Sequence, residues 1–305
     1  MSNEEKKKIT ICLEESKYAH GFGKDQNIHI VEYERVKGLI KKQIEKVEKL
    51  QQNNSTFGLV RQHNTISIFG GRGSGKTTFI YSMLKQLSDE EKNAEILGII
   101  DPTQMEQKEH IFLVVLSLIN DKIKEKLDML RNSNKGDVCC YERQWNNQLR
   151  KLAKGLPTLD SVELPKYDNW DDDTFIIERG LDNVSSAYNL EANFHKLVSQ
   201  ALSILGKEFF VLAFDDIDVE MSKGWLVLET IRKYLTTPQL ITLLSGNLTL
   251  YSYNVRLQQW KQLRELKEFE EINLTSQINQ LEGQYMLKLF KPENRVQLMS
   301  LLEAK

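Results

Sequence analysis

Nine consecutive residues, Gly70-Gly71-Arg72-Gly73-Ser74-Gly75-Lys76-Thr77-Thr78, hold the spacing G-x-x-x-x-G-K-[ST], and this narrows the folds open to the chain more than any other feature. Glycines at 70, 71, 73 and 75 let the backbone curl into a nest whose N–H groups converge on an anion, closer than side chains would allow. Such a loop is entered from a strand and left through a helix. Thr65-Ile66-Ser67-Ile68-Phe69 alternates and is rich in β-formers, and residues 79–87 carry apolar residues at helical spacing. Glycine usage alone would produce the motif in roughly one chain of this length in a hundred, so the strand, loop, helix order is what makes it a nucleoside triphosphate site. Residues Gly70 through Thr78 then cradle the phosphates. Lys76 reaches the β- and γ-phosphates, Thr77 places its hydroxyl on Mg²⁺, and the helix dipole adds positive potential from below.

The 305 residues suffice for one large domain or two small ones, and a hydrophobic content of 40% supports a substantial core. Lys plus Arg number 41 against 43 Asp plus Glu, so a net charge of −2 supplies no global drive toward nucleic acid or anionic lipid; a local basic patch stays open. Cys12, Cys139 and Cys140 are odd in number and lack C-x-x-C spacing, which argues against a disulfide framework or a zinc site and fits a reducing compartment. Residues 1–8 are charged and no apolar segment of signal type follows them. The longest apolar run, residues 111–119, falls short of the roughly 20 residues that span a bilayer. The expected location is cytoplasmic, with no membrane partner.

An amphipathic helix is predicted over residues 31–52, with Val36, Leu39, Ile40, Ile44, Val47 and Leu50 on one face. It forms the helical part of an N-terminal segment, residues 1–56. A core follows over 57–256. Within it a strand at 96–100 stops at Asp101-Pro102, which sets Asp101 at a strand's carboxyl end as either a site residue or a turn cap. A helix is expected over 107–131, then an insertion, part helical, over about 132–190. Asn134-Lys135-Gly136-Asp137 spells the guanine-reading N-K-x-D, but it precedes the second acidic motif and follows no apolar strand. The acidic run Asp168-Asn169-Trp170-Asp171-Asp172-Asp173 reads as solvated loop charge. The rhythm then turns regular: a helix over 190–205, a strand over 208–214, a helix over 224–235 and a strand over 240–246. From residue 248 onward the pattern is helical, with breaks near Thr275-Ser276 and Lys291-Pro292; residues 257–305 form a helical C-terminal segment, a partial lid.

The strand at 208–214 ends in Asp215-Asp216. Downstream of a phosphate loop, paired carboxylates at a strand end suit the handling of Mg²⁺ and a water: Asp215 orients the metal opposite Thr77, and Asp216 takes the proton of the attacking water. Asn247 ends the next strand, where its amide either meets the γ-phosphate or shapes a turn after Gly246. The transferring phosphoryl group also calls for a cation, often an arginine from a neighbouring subunit; Arg232, Arg256 and Arg264 are the candidates, each reading also as a surface arginine.

Gly70 through Thr77, Asp215-Asp216 and Asn247 resemble the Walker A, Walker B and sensor-1 positions of the additional-strand P-loop ATPases, the group that contains the AAA+, STAND and KAP families. The resemblance covers roughly residues 64–251. It implies an α/β fold of three layers, a mainly parallel sheet in the order 5-1-4-3-2, ATP and Mg²⁺ as ligands, and Lys76, Asp216 and Asn247 as the catalytic set. Many AAA+ members carry Glu at the position of Asp216; Asp is common in KAP- and STAND-like proteins. Residues 100–103, 246–248 and 284–290 further resemble bacterial anti-phage defence ATPases, including the ATPase of the RADAR system. That resemblance implies copies of the chain in a ring and an effector protein, there an adenosine deaminase. The expected activity is ATP hydrolysis that drives assembly or a conformational switch. The alternative is a nucleotide-gated binding module that recruits a partner or nucleic acid with little turnover, and a small-molecule or nucleotide kinase stands third.

Overall fold

A computed structural model describes residues 29–52, 59–106, 109–133, 138–156, 189–263 and 271–299. Its centre is a five-stranded sheet, β1 (Thr65–Phe69), β2 (Ala94–Ile100), β3 (Phe209–Phe214), β4 (Leu240–Gly246) and β5 (Arg295–Gln297). The spatial order is β5-β1-β4-β3-β2, the order implied by the resemblance, and every neighbouring pair is parallel. Parallel strands covered on both faces read as continuous apolar runs, and β3 and β4 are buried along their whole length.

Helices cover both faces. On one side α1 (Ile30–Gln52) and α2 (Lys76–Glu90) meet the sheet through Tyr33, Val36, Ile40, Phe79, Ile80 and Met83, against Ile66, Ile68, Val211 and Leu243. On the other lie α3 (Ile111–Asn132), α4 (Val138–Ala153), α5 (Leu190–Leu205) and α6 (Met221–Lys233), packed on Leu97, Phe210, Leu212, Phe214 and Leu244. Helices α7 (Leu248–Gln262) and α8 (Glu271–Leu289) extend this second layer with Tyr251, Val255, Met286 and Leu289. The helix α4 falls inside the span read as an insertion, yet Trp145 and Leu152 are buried in the main cluster, and Trp145 Nε1 donates to Asn120 Oδ1 of α3 at 3.0 Å.

Several boundaries differ from expectation, each for a local reason. The last strand, β5, lies where a helix is expected: Pro292–Asn294 makes a 3-10 turn, and the short run after it pairs with β1 through Ser67↔Arg295 and Phe69↔Gln297. Three residues are too few to show a period. No break occurs at Thr275-Ser276, because Leu274 and Ile278 are both buried and one helical turn of packing outweighs the weak propensities between them. Helix α3 starts at Ile111, where His110 Nδ1 accepts from the Phe112 N–H at 3.1 Å. Helix α6 starts at Met221, three residues early, and carries Gly224 where a Cβ would strike the Ile217 carbonyl.

Candidate functional site

The loop between β1 and α2 is shaped by its glycines. Gly73 and Gly75 take positive φ of 83° and 80°, and a Cβ on Gly70 would collide with the Ser74 hydroxyl. Ser74 is buried, and its backbone N–H donates to the Gly71 carbonyl at 3.2 Å. Lys76 Nζ folds over the loop and donates to the Gly70 and Gly71 carbonyls, both at 3.1 Å. No side chain caps the start of α2, and its first turn carries no acidic residue. Such an uncapped N-terminus beside an ammonium suits a polyanion. Thr77 is exposed in that first turn, on the solvent side of the loop.

Strand order decides what meets this loop. Register pairs Phe69 of β1 with Gly246 of β4, and Phe214 of β3 with Leu244 of β4. The ends of β1 and β3 therefore flank the end of β4, about 10 Å apart at two strand spacings. The Gly70 N–H donates to the Gly246 carbonyl at 3.3 Å, which ties the loop to β4 directly.

On the β3 side, Asp215 is buried and Asp216 exposed. The Ser245 hydroxyl donates to Asp215 Oδ1, and the Asp215 N–H donates to the Ile100 carbonyl of β2 at 3.0 Å. Asp216 has φ of 51°, the only positive φ on a non-glycine among the described residues. Asp and Asn tolerate this region better than residues with longer side chains, which gives a physical reason for Asp rather than Glu at this corner. Although Asp216 is exposed, partial desolvation of its carboxyl raises the pKa, the Asp215, Asp101 and Asp218 carboxylates raise it further, and Lys76 opposes them. A carboxylate lifted in this way is a stronger base.

The end of β4 carries residues that sequence reasoning missed. Besides Ser245, Tyr251 of α7 is fully buried, and its hydroxyl donates back to the Ser245 carbonyl. Its ring lies parallel to Phe290 with centroids 5.3 Å apart, and both rings meet Phe69, the last residue of β1. Burial raises the Tyr251 pKa well above normal, and Asp218, Asp215 and Asp216 add to the shift, so the phenol stays a donor. The only signal for these residues was the aromatic spacing after Asn247, which reads equally as core. Asn247 itself caps α7: its Oδ1 accepts from the N–H groups of Thr249 at 2.9 Å and Leu250 at 3.4 Å. The turn role is thus occupied by the carbonyl oxygen, and Nδ2 remains as a donor.

Asp101 also acts as a cap, accepting from Thr103 N at 2.9 Å and Gln104 Nε2 at 2.9 Å, while its charge still reaches Asp216. Two arginine candidates lie among the described residues. Arg232 forms a two-pronged pair with Glu229 at 2.9 and 3.0 Å and lies over the Tyr285 ring; Arg256 lies over the Tyr253 ring at 4.7 Å. Arg264, the N-K-x-D segment and the acidic run at 168–173 lie outside the described residues. No group of His, Cys, Asp and Glu able to hold a metal by itself occurs among the described residues. Thr77, in the first turn of α2, and Asp215, just past the end of β3, are the residues expected to contribute to a metal, and Mg²⁺ accepts so small a set when phosphate oxygens and water complete its shell.

No protein-family model matches the chain, and no curated protein matches it. Among the described residues no helix is long and apolar enough to cross a membrane.

Proposed function

We propose that the chain is a P-loop ATPase of the additional-strand type, which binds ATP with Mg²⁺ and hydrolyses it to ADP and phosphate. The supporting observation is the strand order: β4 lies between β1 and β3, so one sheet edge brings together the Gly70–Thr78 loop, Asp215-Asp216 and Asn247. In this reading Lys76 leaves the loop carbonyls for the β- and γ-phosphates. Thr77 and Asp215 would hold Mg²⁺. The metal, when bound, supplies charge neutralisation and an ordered oxygen shell. Asp216 accepts a proton from the water that attacks the γ-phosphorus as the bond to ADP breaks. Asn247 uses Nδ2 on the γ-phosphate or that water, since its Oδ1 holds α7.

If a cation for the phosphoryl group comes from another copy of the chain, turnover depends on assembly, and nucleotide state drives oligomer formation or a conformational switch. Without such a cation the second reading holds, a nucleotide-gated binding module. A setting in anti-phage defence, with an effector such as an adenosine deaminase, is proposed on the short resemblances at 100–103, 246–248 and 284–290; a cytoplasmic location rests on the same sequence grounds as before.

Phosphate release from ATP with Mg²⁺, across a range of protein concentrations, tests the proposal. Wild type is expected to turn over with specific activity rising with concentration, and Lys76→Ala to lose turnover. ATP binding without phosphate release at any concentration would select the binding module, and no binding would end both readings.

A further inference from the structure

The loop has a second anchor, on a residue outside the Walker motifs. His29 precedes α1, and its ring is buried. Its Nε2 lies 2.9 Å from the Ser74 carbonyl oxygen. A carbonyl only accepts, so Nε2 carries the proton and donates. The ring edge meets Phe79 of α2, with centroids 6.1 Å apart at 72°, and Nδ1 lies 3.9 Å from Glu32. The His29 carbonyl in turn accepts from the Tyr33 N–H at 2.9 Å and starts α1. One residue thus begins α1 and grips the loop.

The grip has a directional consequence. A trans peptide points its C=O and the following N–H in opposite directions. With the Ser74 carbonyl held toward His29, the Gly75 N–H is turned to the other side, the side from which a phosphate approaches in the proposed reading. Gly75, at φ 80°, could otherwise rotate this peptide at little cost. We propose that His29 is a positioning residue for the phosphate loop: its bond to Ser74 sets the orientation of the Ser74–Gly75 peptide and thereby the affinity for the nucleotide's phosphates. The inference rests on the ATP-binding reading, and it joins α1 and the loop into one unit.

The test is titration of ATP with Mg²⁺ into wild type, His29→Phe and His29→Gln, with the melting temperature of each protein measured alongside. Phe keeps the ring volume and the contact with Phe79 but removes the donor, whereas Gln restores an N–H at similar reach. The expected result is binding about ten-fold weaker for His29→Phe, equivalent to one ordinary hydrogen bond, with Tm within about 2 °C of wild type. For His29→Gln, affinity is expected within about three-fold of wild type. Equal affinity for wild type and His29→Phe overturns the inference. So does a parallel fall in affinity and Tm in both variants, which would mark His29 as packing alone. A wild type that binds no ATP overturns the nucleotide reading and this inference together, an outcome distinct from the other two.

Discussion

The Ser245 hydroxyl at the end of β4 donates to Oδ1 of Asp215 at the end of β3, and both groups are buried. One carboxylate oxygen is thereby fixed from the side of the neighbouring strand, and the Tyr251 hydroxyl fixes the Ser245 carbonyl from α7. Ser245→Ala removes the donor and leaves a buried carboxylate short of a partner. The expected loss is about 1–3 kcal/mol of stability, read by denaturant unfolding. If Asp215 orients Mg²⁺, the metal concentration that half-saturates phosphate release also rises; an unchanged requirement would separate Ser245 from the metal.

Asp216 carries the cost of its surroundings. Partial desolvation and the Asp215, Asp101 and Asp218 carboxylates all disfavour its ionised form. Asp216→Asn removes the charge, keeps the shape and suits the positive φ. Phosphate release is expected to fall by about 100-fold or more, while the melting temperature stays level or rises. A variant both inactive and markedly less stable would point to a structural rather than chemical role.

Acid sensitivity is expected from the opposite end of the sheet. His195 of α5 is buried with Nε2 3.0 Å from the Thr236 hydroxyl. Burial lowers its pKa to about 4; Glu191 opposes the shift and Arg61 adds to it. In the unfolded chain histidine binds a proton near pH 6.5, and in the folded chain it resists until about 4, so stability is full above 6.5 and falls as the pH drops through that window. The group accounts for about 2–3 kcal/mol of loss by pH 4. His63, lowered by burial and then by Lys291 and Lys288, acts in the same direction. Asp216, whose pKa is raised, acts in the other: its ionisation costs stability as the pH rises through its folded value. Unfolding curves between pH 4 and 7 should flatten in His195→Asn.

Arg232 joins α6 to α8. It pairs with Glu229, which also accepts from the Tyr285 hydroxyl at 3.0 Å, and Tyr285 stacks on Trp225. Arg232→Ala is expected to cost about 1–2 kcal/mol while phosphate release per folded molecule stays at the wild-type value. A selective loss of turnover at unchanged stability would return Arg232 to the role of an arginine finger.

The elements around the site were legible because their signals are local and strong. Strands β1 and β4 and helix α5 lie at their expected residues, since each is bounded by glycine, proline or a polar break. The loop, Asp215-Asp216 and Asn247 were legible as motifs, and the sheet order brings them to one edge. What sequence did not disclose depends on side chains far apart in the chain. His29 reaching Ser74, Ser245 reaching Asp215, and Tyr251 stacking on Phe290 leave no periodic mark. Nor does β5, whose three residues become a strand only because β1 offers its open edge.

That edge sets a timetable for the protein's birth. The loop-bearing strand β1 lies at residues 65–69, but both of its neighbours lie far downstream of it, β4 at 240–246 and β5 at 295–297. On a ribosome β1 emerges with no partner on either side and presents unpaired N–H and C=O groups, a template for wrong pairing. The tie between Gly70 and Gly246 cannot form until residue 246 has been translated. If the chain binds nucleotide as proposed, that ligand is unavailable to steady the folding of β1 before β4 arrives, and a nascent chain halted before residue 295 would expose one flank of β1 to aggregation or to a chaperone.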